Sequence, residues 1–226
     1  MVRRQYMFSY NMLMNVVIGI PITLIALTGH EFAHGFVSDR LGDPTPRQQG
    51  RLTLNPLAHL DLVGTILMII TGFGWAKPVM INPRYYKNPK TGMALTAAAG
   101  PLANLIMAFL GLLLYAVFFI INAKLSLGWD TAVRAAGTVM YLFAYRNLCF
   151  MIFNIIPIPP LDGFKVLGLI VPNNIYYKIL QYERYAMIII MVLSLTGAFS
   201  FIIGNGVNAV MNGIMSLLDG LVRITV

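Results

Sequence analysis

Long runs without a charged side chain constrain this chain more than any other feature of its sequence. No Asp, Glu, Lys or Arg occurs between Arg4 and Glu31, or from Gly92 to Ala123. Each run is long enough to cross the roughly 30 Å apolar core of a bilayer as a helix, at about 1.5 Å per residue. With 58% hydrophobic and 11% charged residues, the composition also differs from that of soluble proteins. The sequence therefore predicts an α-helical polytopic membrane protein.

About four to five transmembrane helices are predicted. Three spans are expected at residues 8–27, 92–123 and 131–156, and residues 165–184 form a polar connection after them. Residues 185–218 contain no charge and would form a helix of about 50 Å, longer than a bilayer core. Gly204-Asn205-Gly206 is expected to break it, which leaves a fourth span at about 185–203. The C-terminal segment either crosses again or lies on the membrane surface.

A basic region punctuated by Pro and Gly separates the first two spans. Residues 51–55 and 79–82 have the alternation that is typical of short β-strands. Between them, residues 62–74 are apolar but too short to span, which predicts a re-entrant or interfacial segment. Irregular backbone at membrane depth needs protein or water around it. This short β-like, re-entrant region is therefore expected to cover a polar site.

Such a site is predicted at the far end of the first span, in Gly29-His30-Glu31-Phe32-Ala33-His34. On a helix, His30 and His34 lie one turn apart on one face, where both can bind a single zinc ion. Glu31 beside them can act as a general base toward water. Ionisable side chains within a span are costly unless they pair, bind a metal or line a wet cavity. The pentad therefore predicts a hydrolytic zinc site.

A catalytic zinc takes three protein ligands, so one more must come from elsewhere in the chain. Only six Asp and two Glu are present, and most lie in loops or at span ends away from the histidines. Asp162 remains, level with His30 in the predicted topology. Three prolines between residues 154 and 163 preclude a regular helix, so Asp162 is expected on extended backbone. His30, His34 and Asp162 are thus predicted to bind one Zn²⁺ per chain.

At these positions the chain resembles the site-2 protease family of intramembrane zinc metalloproteases. The His30 to His34 pentad is similar to the family's H-E-x-x-H helix. Residues 154–163, Asn-Ile-Ile-Pro-Ile-Pro-Pro-Leu-Asp-Gly, are similar to its N-x-x-P-x-P-x-L-D-G motif, whose Asp is the third zinc ligand. Gly100-Pro101-Leu102-Ala103-Asn104 also resembles the family, and segments 51–59 and 74–79 resemble its compact prokaryotic branch.

The resemblance implies a metalloendopeptidase that hydrolyses peptide bonds in or near the transmembrane segments of single-span membrane proteins. It further implies that Asn104 takes part in catalysis by orienting substrate or the oxyanion, although a polar residue in a span often only bonds a neighbouring helix. Residues 1–226 are expected to form a single intramembrane metalloprotease domain, with no PDZ or CBS domain.

Other functions stay open at this point. A membrane zinc transporter or sensor would bind the metal without hydrolysis, but it would need further polar ligands through the membrane. A zinc protease of the prenyl-protein type would take a glutamate as third ligand, for which only Glu183 is spare. His59 is interpreted either as a loop histidine that bonds locally or as a residue near the zinc. Cys149 is expected to pack between helices, and Arg146 has no evident partner.

Loop charges predict the orientation in the cell membrane. Residues 40–90 and 165–184 share one side and carry ten Lys and Arg, against five on the other side. The positive-inside rule places these loops and the zinc site near the cytoplasmic side. The net charge of +8 is spread through loops, with no basic stripe that would indicate nucleic-acid binding. The expected partners are the lipid bilayer and membrane-protein substrates, and a homo-oligomer stays open.

Overall fold

Helices dominate the structure, a computed structural model that describes residues 2–61, 63–64 and 77–225. Side chains are described from Val17 onward, except at 187, 191, 194–195 and 198–200. The helices are α1 (Val2–Arg40), α2 (Thr45–Gln48), α3 (Pro89–Leu125), α4 (Asp130–Ile155), α5 (Asp162–Leu167), α6 (Asn173–Leu180), α7 (Glu183–Leu195) and α8 (Ala198–Thr225). Four segments are long and apolar enough to cross a membrane: Val17–Arg40, Pro89–Leu125, Asp130–Ile155 and Phe201–Thr225. The prediction of an α-helical polytopic membrane protein is confirmed.

The central helix is α3, which packs against α1, α4, α5 and α8. Its buried face contains many small residues, including Ala97, Gly100 and Ala108. Small side chains let neighbouring helix backbones approach closely, which favours helix association within lipid. Another face of α3 exposes apolar side chains about one turn apart: Leu102, Ile106, Leu110 and Leu114. Such a face is expected where a helix contacts lipid tails.

The apolar core lies where α3, α4 and α8 meet. Its buried members are Ala108, Leu112, Ala144, Leu148, Met151, Val207, Met211 and Leu218. Cys149 packs against this cluster, as its predicted packing role requires. Because lipid tails are as apolar as leucine, close packing rather than removal from water holds such helices together.

The C-terminal third differs from the prediction. With 13 residues, α7 measures about 20 Å and is too short to cross a bilayer core. The break in the apolar run lies at Gly197, whose φ of +76° ends α7 in the left-handed conformation. Gly204-Asn205-Gly206 instead continues inside α8, where Gly206 lies against Ile152. The fourth span predicted at residues 185–203 was wrong, and the C-terminal segment is the fourth candidate span.

The predicted β-like pieces contain no strand in the described structure, apart from an isolated bridge at Leu60. The side chains of Asn55 and Asn82 instead accept hydrogen bonds from backbone N–H groups two residues later and begin the 3-10 turns Pro56–His59 and Pro83–Tyr85. Alternating residues alone supply no neighbouring strand to complete a ladder, so the β prediction was wrong here. The predicted re-entrant segment 62–74 lies outside the described residues, except for residues 63–64.

A buried carboxylate organises the turn that follows α1. Asp43 Oδ2 accepts hydrogen bonds from the Ser38 hydroxyl and from the Asn82 N–H, both at 2.8 Å, and Oδ1 accepts one from the Thr45 N–H at 3.0 Å. Burial would raise the pKa of Asp43, but these hydrogen bonds lower it below its ordinary value. Asp43 thereby connects the end of α1 to residues 77–82, which return to it from the far side of the loop.

Candidate metal centre

Both histidines of the pentad lie on the buried face of α1. His30 and His34 have 4% and 7% of their surface exposed, and Ala26, one turn earlier, is fully buried. Their Nε2 atoms are 3.0 Å apart. The four-residue spacing on a helix thus brings two imidazole nitrogens to one point, as predicted.

Each imidazole is oriented through its other ring nitrogen. His30 Nδ1 lies 2.7 Å from Asn104 Oδ1, and His34 Nδ1 lies 2.7 Å from the carbonyl oxygen of Thr96. Because both partners are acceptors, the Nδ1 atoms donate and carry the hydrogens. The two Nε2 lone pairs are then left facing each other, an arrangement that repels unless a cation lies between them.

Asp162 reaches the same point from a distant part of the chain. The helix α4 ends at Ile155, and Asp162 is the first residue of the short helix α5 rather than part of an extended segment, which corrects the prediction for its backbone. Its Oδ2 lies 3.2 Å from His30 Nε2 and 3.0 Å from His34 Nε2. The helix begins there because the proline-rich loop ends at Leu161, whose backbone is still extended.

Two glycines leave the room that this convergence needs. A Cβ atom at Gly100 of α3 would lie 2.5 Å from His34 Nε2 and 2.6 Å from His30 Cε1. A Cβ atom at Gly163 would collide with the backbone carbonyl of Ile155. Glycine at these positions therefore lets α3 approach the imidazoles closely and lets α5 begin directly against the end of α4.

The donor set fits a zinc ion. One atom from each of His30, His34 and Asp162 lies within 4.8 Å of the others, and all three residues are buried. Two neutral imidazole nitrogens and a carboxylate oxygen are a combination that catalytic zinc sites use, with the fourth position left to water or substrate. The hydrogen-bonded Nδ1 atoms provide the outer partners that usually accompany metal-binding histidines.

The charge state of Asp162 suits a ligand. Burial would raise its pKa, but Nε2–H donors of His30 and His34, in the protonated imidazoles, and the nearby Lys165 lower it below its ordinary value. Lys165 Nζ lies 3.2 Å from Asp162 Oδ1, on the side away from the histidines. The carboxylate therefore stays ionised, with one oxygen directed to the centre and the other to the lysine.

Glu31 lies beside the centre but outside the group of three donors. Its Oε2 accepts a hydrogen bond from the backbone N–H of Val79 at 3.0 Å, and the residue is half-buried. This contact connects the pentad to residues 77–82. One carboxylate oxygen is used by this bond, and the other can accept a proton.

Asn104 occupies the middle of a buried amide network. Its Oδ1 faces His30, while its Nδ2 donates to the carbonyl of Ala26 at 3.1 Å and to Asn147 Oδ1 at 2.9 Å. Asn147 in turn donates to the Phe143 carbonyl on its own helix. Sequence reasoning missed Asn147, although an uncharged amide within a span is the kind of signal that marks a functional network.

The remaining polar residues of interest lie elsewhere. His59 is fully buried, and its Nε2 donates a hydrogen bond to the Thr53 carbonyl at 2.9 Å. This contact agrees with the interpretation of His59 as a loop histidine that bonds locally. Arg146 extends toward α1, where its Nη2 would lie 3.7 Å from a Cβ at Gly19. Its Nε is buried without a hydrogen-bond partner in the described part of the chain.

Known proteins with similar sequences include zinc proteases by name. A family model described as "Peptidase family M50" matches residues 17–197. A Bacillus subtilis (strain 168) protein named "Putative zinc metalloprotease YwhC" is 37% identical over 203 residues, which cover 89% of this chain and 91% of the relative.

More distant relatives carry a related name. A Mycolicibacterium smegmatis protein named "Putative zinc metalloprotease Rip2" is 28% identical over 78% of this chain and 66% of the relative. The protein of that name from Mycobacterium tuberculosis (strain ATCC 25618 / H37Rv) is 27% identical over 76% of this chain and 64% of the relative. No solved structure matches the chain.

Proposed function

The chain belongs to peptidase family M50, the site-2 protease family, and from this premise we propose that His30, His34 and Asp162 hold its zinc while Glu31 is the general base. The protein is a zinc-dependent intramembrane endopeptidase. The observation that carries the residue assignment is the convergence of two imidazole nitrogens and a carboxylate oxygen within 4.8 Å.

The chain's own residues divide the chemistry between them. When bound, zinc supplies Lewis-acid activation that brings the pKa of water to about 7. Glu31 accepts the proton of the attacking water and later passes it to the amine nitrogen of the leaving peptide. The Val79 N–H holds the carboxylate of Glu31 in place between these two steps. Buried Asp162 and the two neutral imidazoles together contribute a single negative charge.

Asn104 acts through His30 in this proposal. Its Oδ1 fixes the Nδ1–H tautomer of His30, and its own amide is held by Ala26 and Asn147. A side chain bonded on both of its polar atoms is a positioning residue for the ligand. The predicted contact of Asn104 with substrate or the oxyanion would require it to leave this network.

The substrates proposed are single-span membrane proteins, cut in or near their transmembrane segments. Support comes from the family and from the location of the centre among candidate spans α1, α3 and α4. The excess of Lys and Arg in residues 40–90 and 165–184 supports a site near the cytoplasmic face of the cell membrane. The match over residues 17–197 supports a single catalytic domain.

The alternatives have less support. A transporter needs a second set of metal ligands along the membrane, and within the described residues His30, His34 and Asp162 are the one group that could hold a metal. A glutamate as third ligand would require Glu183, which begins α7 and does not belong to that group.

The decisive experiment compares wild type with Glu31→Gln in liposomes that contain a panel of single-span substrates. Loss of the base is expected to slow cleavage by about 10²–10⁴-fold while zinc content stays at one ion per chain. Glu183→Gln, the change at the other glutamate, is the matched control and should cleave normally. Equal cleavage by wild type and Glu31→Gln would contradict the mechanism.

The ligand assignment has its own test in the zinc content of Asp162→Ala. Removal of one of three ligands should abolish stoichiometric zinc binding to the purified protein. Full zinc occupancy in Asp162→Ala would contradict the proposed third ligand and leave the role of Glu31 open to its own test.

A further inference from the structure

Six polar side chains form a stripe along α8 on the face turned away from the bundle. They are spaced three or four residues apart, which keeps them within about 80° of one another around a helix. The members of this polar stripe are Asn205, Asn208, Asn212, Ser216, Asp219 and Arg223. All six are exposed, and among the described residues none of their side chains has a hydrogen-bond or ion-pair partner.

The polar stripe runs along a candidate span, with Asn208 and Asn212 well within it and Arg223 at its far end. On its other face, α8 contributes Val207, Met211 and Leu218 to the core cluster. The partners there include Leu112 of α3 and Leu148 of α4, which lie well inside two long candidate spans. A helix packed along these spans is itself a span, so the polar stripe faces either lipid or another protein.

Lipid is a poor neighbour for these groups. An amide in hydrocarbon without a hydrogen-bond partner, or a charge without a counter-ion, is strongly unfavourable. Polar side chains in spans accordingly pair with one another or with a neighbouring helix. The described part of this chain supplies no such partner, which leaves the polar stripe available to a second molecule.

An identical stripe is a suitable complement. A carboxamide both donates and accepts, so Asn208 and Asn212 can each bond the same residue of a second copy. The charges of Asp219 and Arg223 sum to zero, and the two residues are one turn apart. Copies in one membrane share an orientation and are related by a two-fold axis along its normal, which brings Asp219 within reach of Arg223 of the second copy.

The surface of α8 at the polar stripe is also open to an approaching helix. An open groove of about 380 Å³ is lined by α8 alone, through Asn212, Met215, Ser216, Asp219, Gly220 and Arg223. A Cβ atom at Gly213 or Gly220 would have no neighbour within 4 Å. Where side chains are absent, the backbone of a second helix can approach closely and bring the polar groups within bonding distance.

We propose that α8 forms the interface of a parallel homodimer, in which the polar stripes of two copies hydrogen-bond to each other within the membrane. This interface lies on a helix that contributes no residue to the metal centre. Dimer formation therefore does not depend on zinc or on cleavage.

Disulfide cross-linking in proteoliposomes tests the interface directly, because Cys149→Ala removes the single cysteine. In that background, oxidant should convert most of Asn208→Cys or Asn212→Cys to covalent dimers. Leu217→Cys on another face of α8 and Leu114→Cys on α3 are equally exposed controls and should stay monomeric. Equal cross-linking at all four positions, or none at the stripe positions, would overturn the proposal.

Mixing oppositely charged variants gives a second test that a role within one chain cannot imitate. In a dimer of Asp219→Arg, both chains present two positive side chains to the interface. In a dimer of Arg223→Asp, both chains present two negative side chains. Each variant alone should lose about tenfold or more of its dimer, measured by energy transfer between dye-labelled copies, because like charges then face each other. The mixture of the two should recover the wild-type signal.

The remaining outcomes decide against the homodimer. Wild-type protein without energy transfer at any protein-to-lipid ratio would mean that lipid covers the polar stripe. Variants that lose substrate cleavage while keeping the wild-type energy transfer would assign the polar stripe to substrate helices instead.

Discussion

Each imidazole of the candidate metal centre has one nitrogen left for a metal, because Asn104 or the Thr96 carbonyl occupies the other. The geometry at single residues thus determines the tautomer before any ion binds. It also separates two roles for Asn104 that the sequence left open. A residue that positions His30 affects zinc affinity, whereas a residue that contacts the oxyanion affects turnover alone.

Asn104→Leu should therefore weaken zinc binding by about 10–100-fold, the usual effect of losing the outer partner of a metal-binding histidine. Asn104→Asp keeps an oxygen that can accept from His30 Nδ1 and should recover much of that affinity. Asn122→Leu, at another buried asparagine of α3, is the matched control. Competition with a zinc chelator measures the affinity. Normal affinity with reduced turnover in Asn104→Leu would favour contact with substrate.

Gly100→Ala should also abolish zinc binding, for a steric reason. The added methyl group would lie 2.5 Å from His34 Nε2, in the space where the donors converge. Gly204→Ala is the control, because a Cβ there has no neighbour within 4 Å. Zinc content of the two purified variants is the measurement, and unchanged zinc in Gly100→Ala would show that α3 can move away from the site.

At the scale of elements, the segment formed by residues 77–82 is attached to α1 and the turn after it by polar contacts rather than by strand pairing. Val79 donates to Glu31, and Asn82 donates to Asp43 at the end of the same helix. These two bonds hold residues 77–82 against the C-terminal end of α1. The position of the general base and the stability of the loop are consequently coupled through Asp43.

Asp43→Asn should destabilise the protein at neutral pH by about 1–3 kcal/mol, since buried donors lose a charged acceptor. The folded-state pKa of Asp43 lies below its ordinary value, so its contribution is present above about pH 4 and is lost as pH falls through the folded-state pKa. Thermal unfolding in detergent at several pH values measures this difference. Asp39→Asn, which removes a bond to the exposed Arg47, should cost less. A loss that grows on acidification would contradict this role of Asp43.

At the scale of the whole molecule, four candidate spans place both ends of the described chain on the same side of the membrane. The metal centre then lies toward the side of the basic loops. Those loops carry ten Lys and Arg, whereas the segments on the other side of the membrane carry five, so the basic side is predicted to be cytoplasmic. This orientation can be tested independently of catalysis.

Single cysteines in a Cys149→Ala background should report the orientation in intact cells. A membrane-impermeant maleimide should label Ser126→Cys, between α3 and α4, before the cells are opened. Tyr182→Cys, which is 57% exposed beside α7, should react only after permeabilisation. The reverse pattern would place the metal centre on the outer side.

The spans and part of the metal centre could be predicted from the spacing of residues along the sequence. Charge-free runs determine helices in lipid, because only a helix satisfies its own backbone there, and the four-residue spacing of His30 and His34 determines that they share a face. The motif around Asp162 predicted the third member of the site, and the structure brings it within 3.2 Å of both histidines.

Only the tertiary structure decided the features that depend on neighbours distant in sequence. Among the described residues, what packs against each segment decided that residues 51–55 and 79–82 do not pair as strands. It also decided that α8 continues through two glycines and that space is needed at Gly100. The Asn104–Asn147 network likewise exists because α3 and α4 lie side by side. Sequence determined which groups could do the chemistry. Packing decided the distances between these groups and the tautomers of the histidines, because both depend on atoms contributed by other helices.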